Sequence, residues 1–233
     1  MSDPLQDFLP DLEPDISHLD LDPEREPLNL FSEREHRLLV QPLYNAWNPG
    51  RPFVAMSDVG LFPEPKQTPY IPDMLLSLDV SLPEDMTQKR NLAYFVWVYG
   101  KPPDLVVEVV SNRDGHEEQK IEGYARLGIA YYIIFDPFRY LSTRELRAYE
   151  LHGRSYLEML KPVWIEHLQL GATLWDGEYE GATARWLRWC DREGRVLPTG
   201  LESAREARLQ AEQERQRAER LAARLRELGL AED

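Results

Sequence analysis

Residues 102–137 read PPDLVVEVVSNRDGHEEQKIEGYARLGIAYYIIFDP, and their pattern decides the fold class. Pro102 and Pro103 open a run in which Leu105, Val106, Val107, Val109 and Val110 favour a buried strand. Ser111 and Asn112 mark its end. The stretch EEQKIEGYARL, residues 117–127, reads as a helix with Ile121, Tyr124, Ala125 and Leu127 on its apolar side. Gly128 supplies a C-terminal stop. IAYYIIFDP then reads as a second buried strand, ended by Asp136 and Pro137. A strand, a crossover helix and a strand imply a parallel pair with helical cover, hence an α/β fold with a mixed sheet flanked by helices.

Upstream, residues 31–47 form a helical pattern with Leu38, Leu39, Tyr44 and Trp47 on its apolar face. Ser32 followed by Glu35 has capping-box spacing, and Pro42 is expected to kink or end the helix. Strands are expected at Phe53–Val59 and Met74–Val80, with a polar loop over 81–92 and a short strand or loop over 94–99. Downstream, residues 146–160 read as a hairpin around His152-Gly153-Arg154, and 164–180 as a strand-and-turn region. TARWLRWCDREGRVLP reads as a short edge element.

Three units are expected: an acidic, mobile arm over 1–29, a folded domain over 30–198, and a charged helix over 199–233. In that helix Ala204, Ala207, Ala211, Ala218, Leu221, Leu225 and Leu228 lie on a heptad seam, with Glu214 at the missing position. It can stand alone, pair with a second copy as a coiled coil in a homodimer, or dock on its own domain.

The chain has 233 residues, 42% of them hydrophobic, enough for a real core. No apolar run approaches the roughly 18–20 residues of a membrane span, so no membrane partner is expected. The acidic N-terminus does not read as a signal peptide, and a cytoplasmic protein is the expectation. Cys190 is the single cysteine, which excludes an intrachain disulfide and a cysteine zinc cluster. The net charge of −14, from 41 acidic and 27 basic residues, opposes a polyanion at long range. Much of the acid lies in the first 26 residues, so a cleft elsewhere can be neutral or basic.

Glu108 is the residue that core physics would not choose. Alternation puts Leu105, Val107 and Val109 on one face of its strand and Val106, Glu108 and Val110 on the other. A carboxylate there must be paired, bound to metal, or at an open edge. Asp73, between Pro72 and Met74, is either a turn cap or a second carboxylate. Asp58 carries the same two readings, while Asp104, just before its strand, suits a turn. Two carboxylates on adjacent strands can hold Mg²⁺ or Mn²⁺. Lys120, on the crossover helix, is placed to hold water or neutralise phosphate. Arg113, Asp114 and His116 occupy the strand-to-helix loop, where sites are often lined, although His116 reads as a surface histidine. HExxH, phosphate-loop and GxSxG signatures are absent.

The stretch 102–137 resembles the bacterial putative restriction endonuclease family of the PD-(D/E)xK nuclease superfamily, with weaker similarity through SDVGLFP and YIPDMLLSLDV. The resemblance implies a restriction-endonuclease-like core, metal-dependent hydrolysis of DNA, and Mg²⁺ or Mn²⁺ as cofactor. It implies catalytic roles for Asp73 and Glu108 as metal ligands, and for Glu35 as a helix carboxylate. The superfamily's lysine usually lies two residues after the glutamate, where this chain has Val110; Lys120 is the displaced counterpart. The alternatives are a catalytically silent nuclease fold that binds nucleic acid or protein, and an oligomeric scaffold.

Overall fold

The computed structural model describes residues 15–19 and 29–227. The greater part of the acidic arm, and Leu228 with the residues after it, lie outside the described residues. The elements are α1 (Leu30–Ala46), β1 (Phe53–Ser57), β2 (Leu61–Phe62), β3 (Met74–Leu78), β4 (Tyr94–Phe95), α2 (Val96–Tyr99) and β5 (Leu105–Val109). They continue with α3 (His116–Leu127), β6 (Tyr131–Phe135), β7 (Leu146–His152), β8 (Ser155–Glu158), β9 (Val163–Ile165), β10 (Leu170–Tyr179), β11 (Ala182–Cys190) and α4 (Gly200–Glu227).

The main sheet has the order β1-β3-β5-β6-β7-β8. β5 and β6 run parallel, joined by α3, and the other pairs are antiparallel, so the sheet is mixed as the sequence predicts. Alternation along β5 holds. Leu105, Val107 and Val109 enter the core beneath α1 and the small sheet β9–β11, while Val106 and Val110 enter the core beneath α3. One face of the sheet is thus covered by α1 together with β9–β11, the other by α3.

Three local expectations change. The cap of α1 is Asn29, whose side chain accepts from the backbone N–H groups of Phe31 and Ser32, so the Ser32–Glu35 capping box is not used. Pro42 lies inside α1 and does not end it. It removes one helix hydrogen bond, and burial of Leu39 and Leu43 on the same helix outweighs that loss. β11 is a nine-residue strand paired along its length with β10, not a short edge element. Its Trp186, Leu187 and Trp189 are buried, and the Trp189 indole N–H donates to the Leu39 carbonyl of α1 at 2.7 Å.

Residues 15–19 lie against the domain, with Ile16 and Leu19 packed on Phe62, Ala93 and Phe95. The Lys89 ammonium donates to the carbonyls of Ser17 and Leu19. At the other end, the Glu202 carboxylate accepts from Thr199 N–H and the Thr199 hydroxyl accepts from Glu202 N–H, a reciprocal cap that starts α4. Further along α4, Leu209, Leu221 and Leu225 are exposed. No described helix is long and apolar enough to cross a membrane.

Candidate metal centre

Three strand ends bring carboxylates into one row. Ser57 pairs with Met74, and Met74 with Val107. Asp58 follows Ser57, Asp73 precedes Met74 and Glu108 follows Val107, so all three come to the same end of the sheet. Asp58, at φ 57°, and Asp73 lie just outside their strands, so they meet at the end of the sheet, where His36 of α1 reaches them, rather than on one face of it. The row lies at the C-terminal end of β5, the end at which α/β sheets form ligand crevices.

Glu108 is buried, and α3 holds both of its oxygens. Lys120 Nζ donates to Oε2 at 2.7 Å and the Tyr124 hydroxyl donates to Oε1 at 2.6 Å. Lys120 and Tyr124 are four residues apart, hence on the same face of the helix. The Tyr132 hydroxyl of β6 donates to the Glu117 carbonyl at 2.6 Å and fastens the first turn of α3 to the sheet. Burial pushes the Glu108 carboxyl up to about 7, against the pull of the Lys120 charge and with a further push from Asp73. The Lys120 ammonium is raised in turn: its burial, which opposes the charge, is outweighed by Glu108 first and then by Asp73 and Glu117.

Asp73 is fixed through its backbone neighbours, since its Oδ2 accepts the Val109 N–H at 2.6 Å. Burial raises its carboxyl, and the nearby His36 ring and Val109 N–H work against that rise. The Glu108–Lys120 ion pair therefore lies beside Asp73, whose carboxylate is held by the N–H of the residue that follows Glu108.

His36 and Asp58 join them. The His36 ring is buried, with Nδ1 at 2.7 Å from Asp58 Oδ2 and Nε2 at 3.5 Å from Asp73 Oδ1. Burial pulls the imidazole down, and the Asp58 hydrogen bond with the charges of Asp73, Asp58 and Glu108 raises it overall. Ligand atoms of His36, Asp58 and Asp73 lie within 4.8 Å of one another, a set able to coordinate a divalent cation. The His36 Nε2 atom is buried and, among the described residues, without a hydrogen-bond partner, an orphan that a cation would satisfy.

The neighbouring acid takes another side of the helix. Glu35 is fully buried toward Leu187 and Arg188 of β11, away from the carboxylate row. One residue turns an α-helix by about 100°, so Glu35 and His36 cannot share a face. Helix periodicity contained the signal: His36 is three residues before Leu39 and seven before Leu43, the stripe packed on the main sheet. Glu35 is three before Leu38, which packs on Trp186 and Tyr179. Of the other polar residues, Asp104 accepts from Lys101 and from Leu78 N–H at the far end of β5, and Arg113 stacks over Tyr140. His116 is exposed at the start of α3.

Burial raises the Glu35 carboxyl well above its ordinary range, more than the Leu187 backbone and the Arg188 charge lower it. A raised carboxyl contributes stability that is full below its unfolded pKa and lost as pH climbs through its folded pKa. As pH rises above the ordinary carboxylate range, the thermal midpoint of Glu35→Gln is expected to fall less steeply than that of the wild type, which loses the Glu35 contribution as well. Scanning calorimetry above that range checks it, and parallel curves for the two proteins would contradict it.

A crystal structure described as a putative nuclease belonging to DUF820 from Anabaena variabilis ATCC 29413, at 1.96 Å resolution, is similar to this chain at 14% identity. The similarity covers 60% of this chain and 73% of that one, with a TM-score of 0.42. Among curated proteins nothing matches. Residues 21–171, a span that holds His36, Asp58, Asp73, Glu108 and Lys120, match the family described as "Uma2: Putative restriction endonuclease", and the chain belongs to that family of the PD-(D/E)xK superfamily.

Proposed function

We propose that this chain hydrolyses phosphodiester bonds in DNA with a divalent cation, Mg²⁺ or Mn²⁺, held by Asp73 and Glu108. The observation that carries the reading is the Glu108–Lys120 pair at 2.7 Å, beside Asp73, at the crevice end of β5. When bound, such an ion acidifies water and offsets charge that develops on phosphate oxygens.

The chain's own groups do the positioning. Tyr124 and Lys120 fix the Glu108 carboxylate from two sides, and the Val109 N–H fixes Asp73. The Lys120 side chain is partly exposed and its ammonium has three donors, so it can donate to a water or to a phosphate oxygen while it stays beside Glu108. Lys120 thereby takes the role of the lysine usually found at the position of Val110.

The test compares the wild type with Asp73→Asn on single-stranded, double-stranded and nicked DNA in Mg²⁺ and in Mn²⁺. Metal-dependent cleavage that falls by about a hundredfold in the variant supports the reading. Cleavage that is equal in both proteins, or insensitive to chelator, overturns it.

A second reading is a catalytically silent nuclease fold that binds nucleic acid or protein, and one feature favours it. Val110 removes the nearby lysine, and Lys120 is already committed to Glu108. Metal binding with no cleavage on any of these substrates selects this reading.

A further inference from the structure

The His36 ring presents two nitrogens with different surroundings. Nδ1 is at hydrogen-bond distance from Asp58, while Nε2 is buried, faces Asp73 Oδ1 at 3.5 Å and has no hydrogen-bond partner among the described residues. A neutral ring that donates Nδ1–H to a carboxylate, the form a cation selects, carries a lone pair on Nε2. Here that lone pair would face a carboxylate oxygen across a gap too long for a charge-assisted hydrogen bond, which closes to about 2.7–2.9 Å. Two ligands each about 2.1–2.2 Å from one cation stand about 3.0–3.6 Å apart, for coordination angles between octahedral and tetrahedral. The observed separation falls inside that interval.

We propose that His36 Nε2 is a direct ligand of the ion at Asp73, that Asp58 is the positioning residue that fixes the ring, and that the site therefore prefers Mn²⁺ to Mg²⁺. The proposal rests on the metal-dependent reading above and adds the identity of a nitrogen ligand to it. Magnesium demands near-ideal octahedral oxygen coordination and sheds water reluctantly, whereas Mn²⁺, larger and a transition ion, gives up water more readily and gains more from one imidazole nitrogen beside carboxylate oxygens. A carboxylate on the far nitrogen orients a ligating histidine and raises its basicity, the place that Asp58 occupies.

Two measurements on the full chain test this. Calorimetric titration gives affinities for Mn²⁺ and Mg²⁺ in wild type, His36→Gln and Asp58→Asn, with circular dichroism to verify folding. Pulsed electron paramagnetic resonance on the Mn²⁺-loaded protein reads ¹⁴N coupling from a coordinated imidazole, and the wild-type spectrum needs no variant. Expected are Mn²⁺ binding tighter than Mg²⁺, ¹⁴N coupling in wild type, and loss of both the coupling and the preference in His36→Gln. Asp58→Asn should keep the coupling and lose about 10–100-fold in Mn²⁺ affinity. Mn²⁺ bound with no ¹⁴N coupling, or an unchanged Mn²⁺-to-Mg²⁺ ratio in a folded His36→Gln, overturns the proposal while the Asp73–Glu108 reading stands. No Mn²⁺ binding at all overturns both.

Discussion

Glu108→Gln is expected to lower metal-dependent DNA cleavage by about a hundredfold or more without lowering the thermal midpoint of the metal-free protein at about pH 8. The activity loss follows from the proposed role, because an amide keeps the shape of the side chain but removes the negative charge that attracts the cation. The stability effect follows from burial. The wild-type carboxyl is pushed up to about 7, above its ordinary value of 4.5, mainly because its charged form is buried. Stability from such a group is full below the unfolded pKa and lost as pH climbs through about 7. Gln has no such loss, its amide oxygen can still accept from the Lys120 ammonium, and the Lys120 side chain is 27% exposed. Cleavage rates and melting curves on the same preparations test both parts. A variant that cleaves like the wild type removes Glu108 from the site. A sharply lower midpoint makes the ion pair a structural element instead.

The second large effect lies outside the site. Trp189→Ala is expected to destabilise the fold by about 3–5 kcal/mol, the usual loss for a buried tryptophan. Domains of this kind are stable by only about 5–15 kcal/mol, so the variant should unfold at a much lower urea concentration. Trp189 is fully buried in the core shared by the two sheets, and its N–H ties β11 to α1 through Leu39. Urea melts followed by circular dichroism measure the change. A shift below about 1 kcal/mol would mean that β11 contributes little to the position of α1.

What the sequence revealed about this site depends on which residues are decided by local pattern. Glu108 stood out because one acid interrupted a valine run, and strand alternation alone assigned its face. Lys120 was legible as part of the crossover helix, and its distance from Glu108 was not, because that depends on how α3 lies across the sheet. Asp58 and Asp73 each allowed a turn reading. Only the β1–β3–β5 register puts them in one row, and register is a long-range property. His36 was missed because Glu35, beside it, matches an expected acid. The side of a helix that faces the sheet is set by the whole stripe, here Leu39 and Leu43, and not by the residue type. β11 looked like an edge because Arg185 and Arg188 alternate with its tryptophans. The structure accommodates Arg188 inside, stacked over Trp175 and paired with Glu202 at the start of α4.

The position of α1 between two sheets makes it a shared wall. Its His36 side faces the carboxylate row, and its Glu35 side faces β11. Were β11 to peel away in a local opening, α1 would lose the Trp189 anchor and its hold on His36 would loosen. An ion held by His36 would oppose that opening by RT ln(1 + [ion]/Kd), since it would bind the closed form alone. Cation occupancy at one end of the main sheet would then be felt as slower amide exchange in a strand of the other sheet, with one helix as the only mechanical link required.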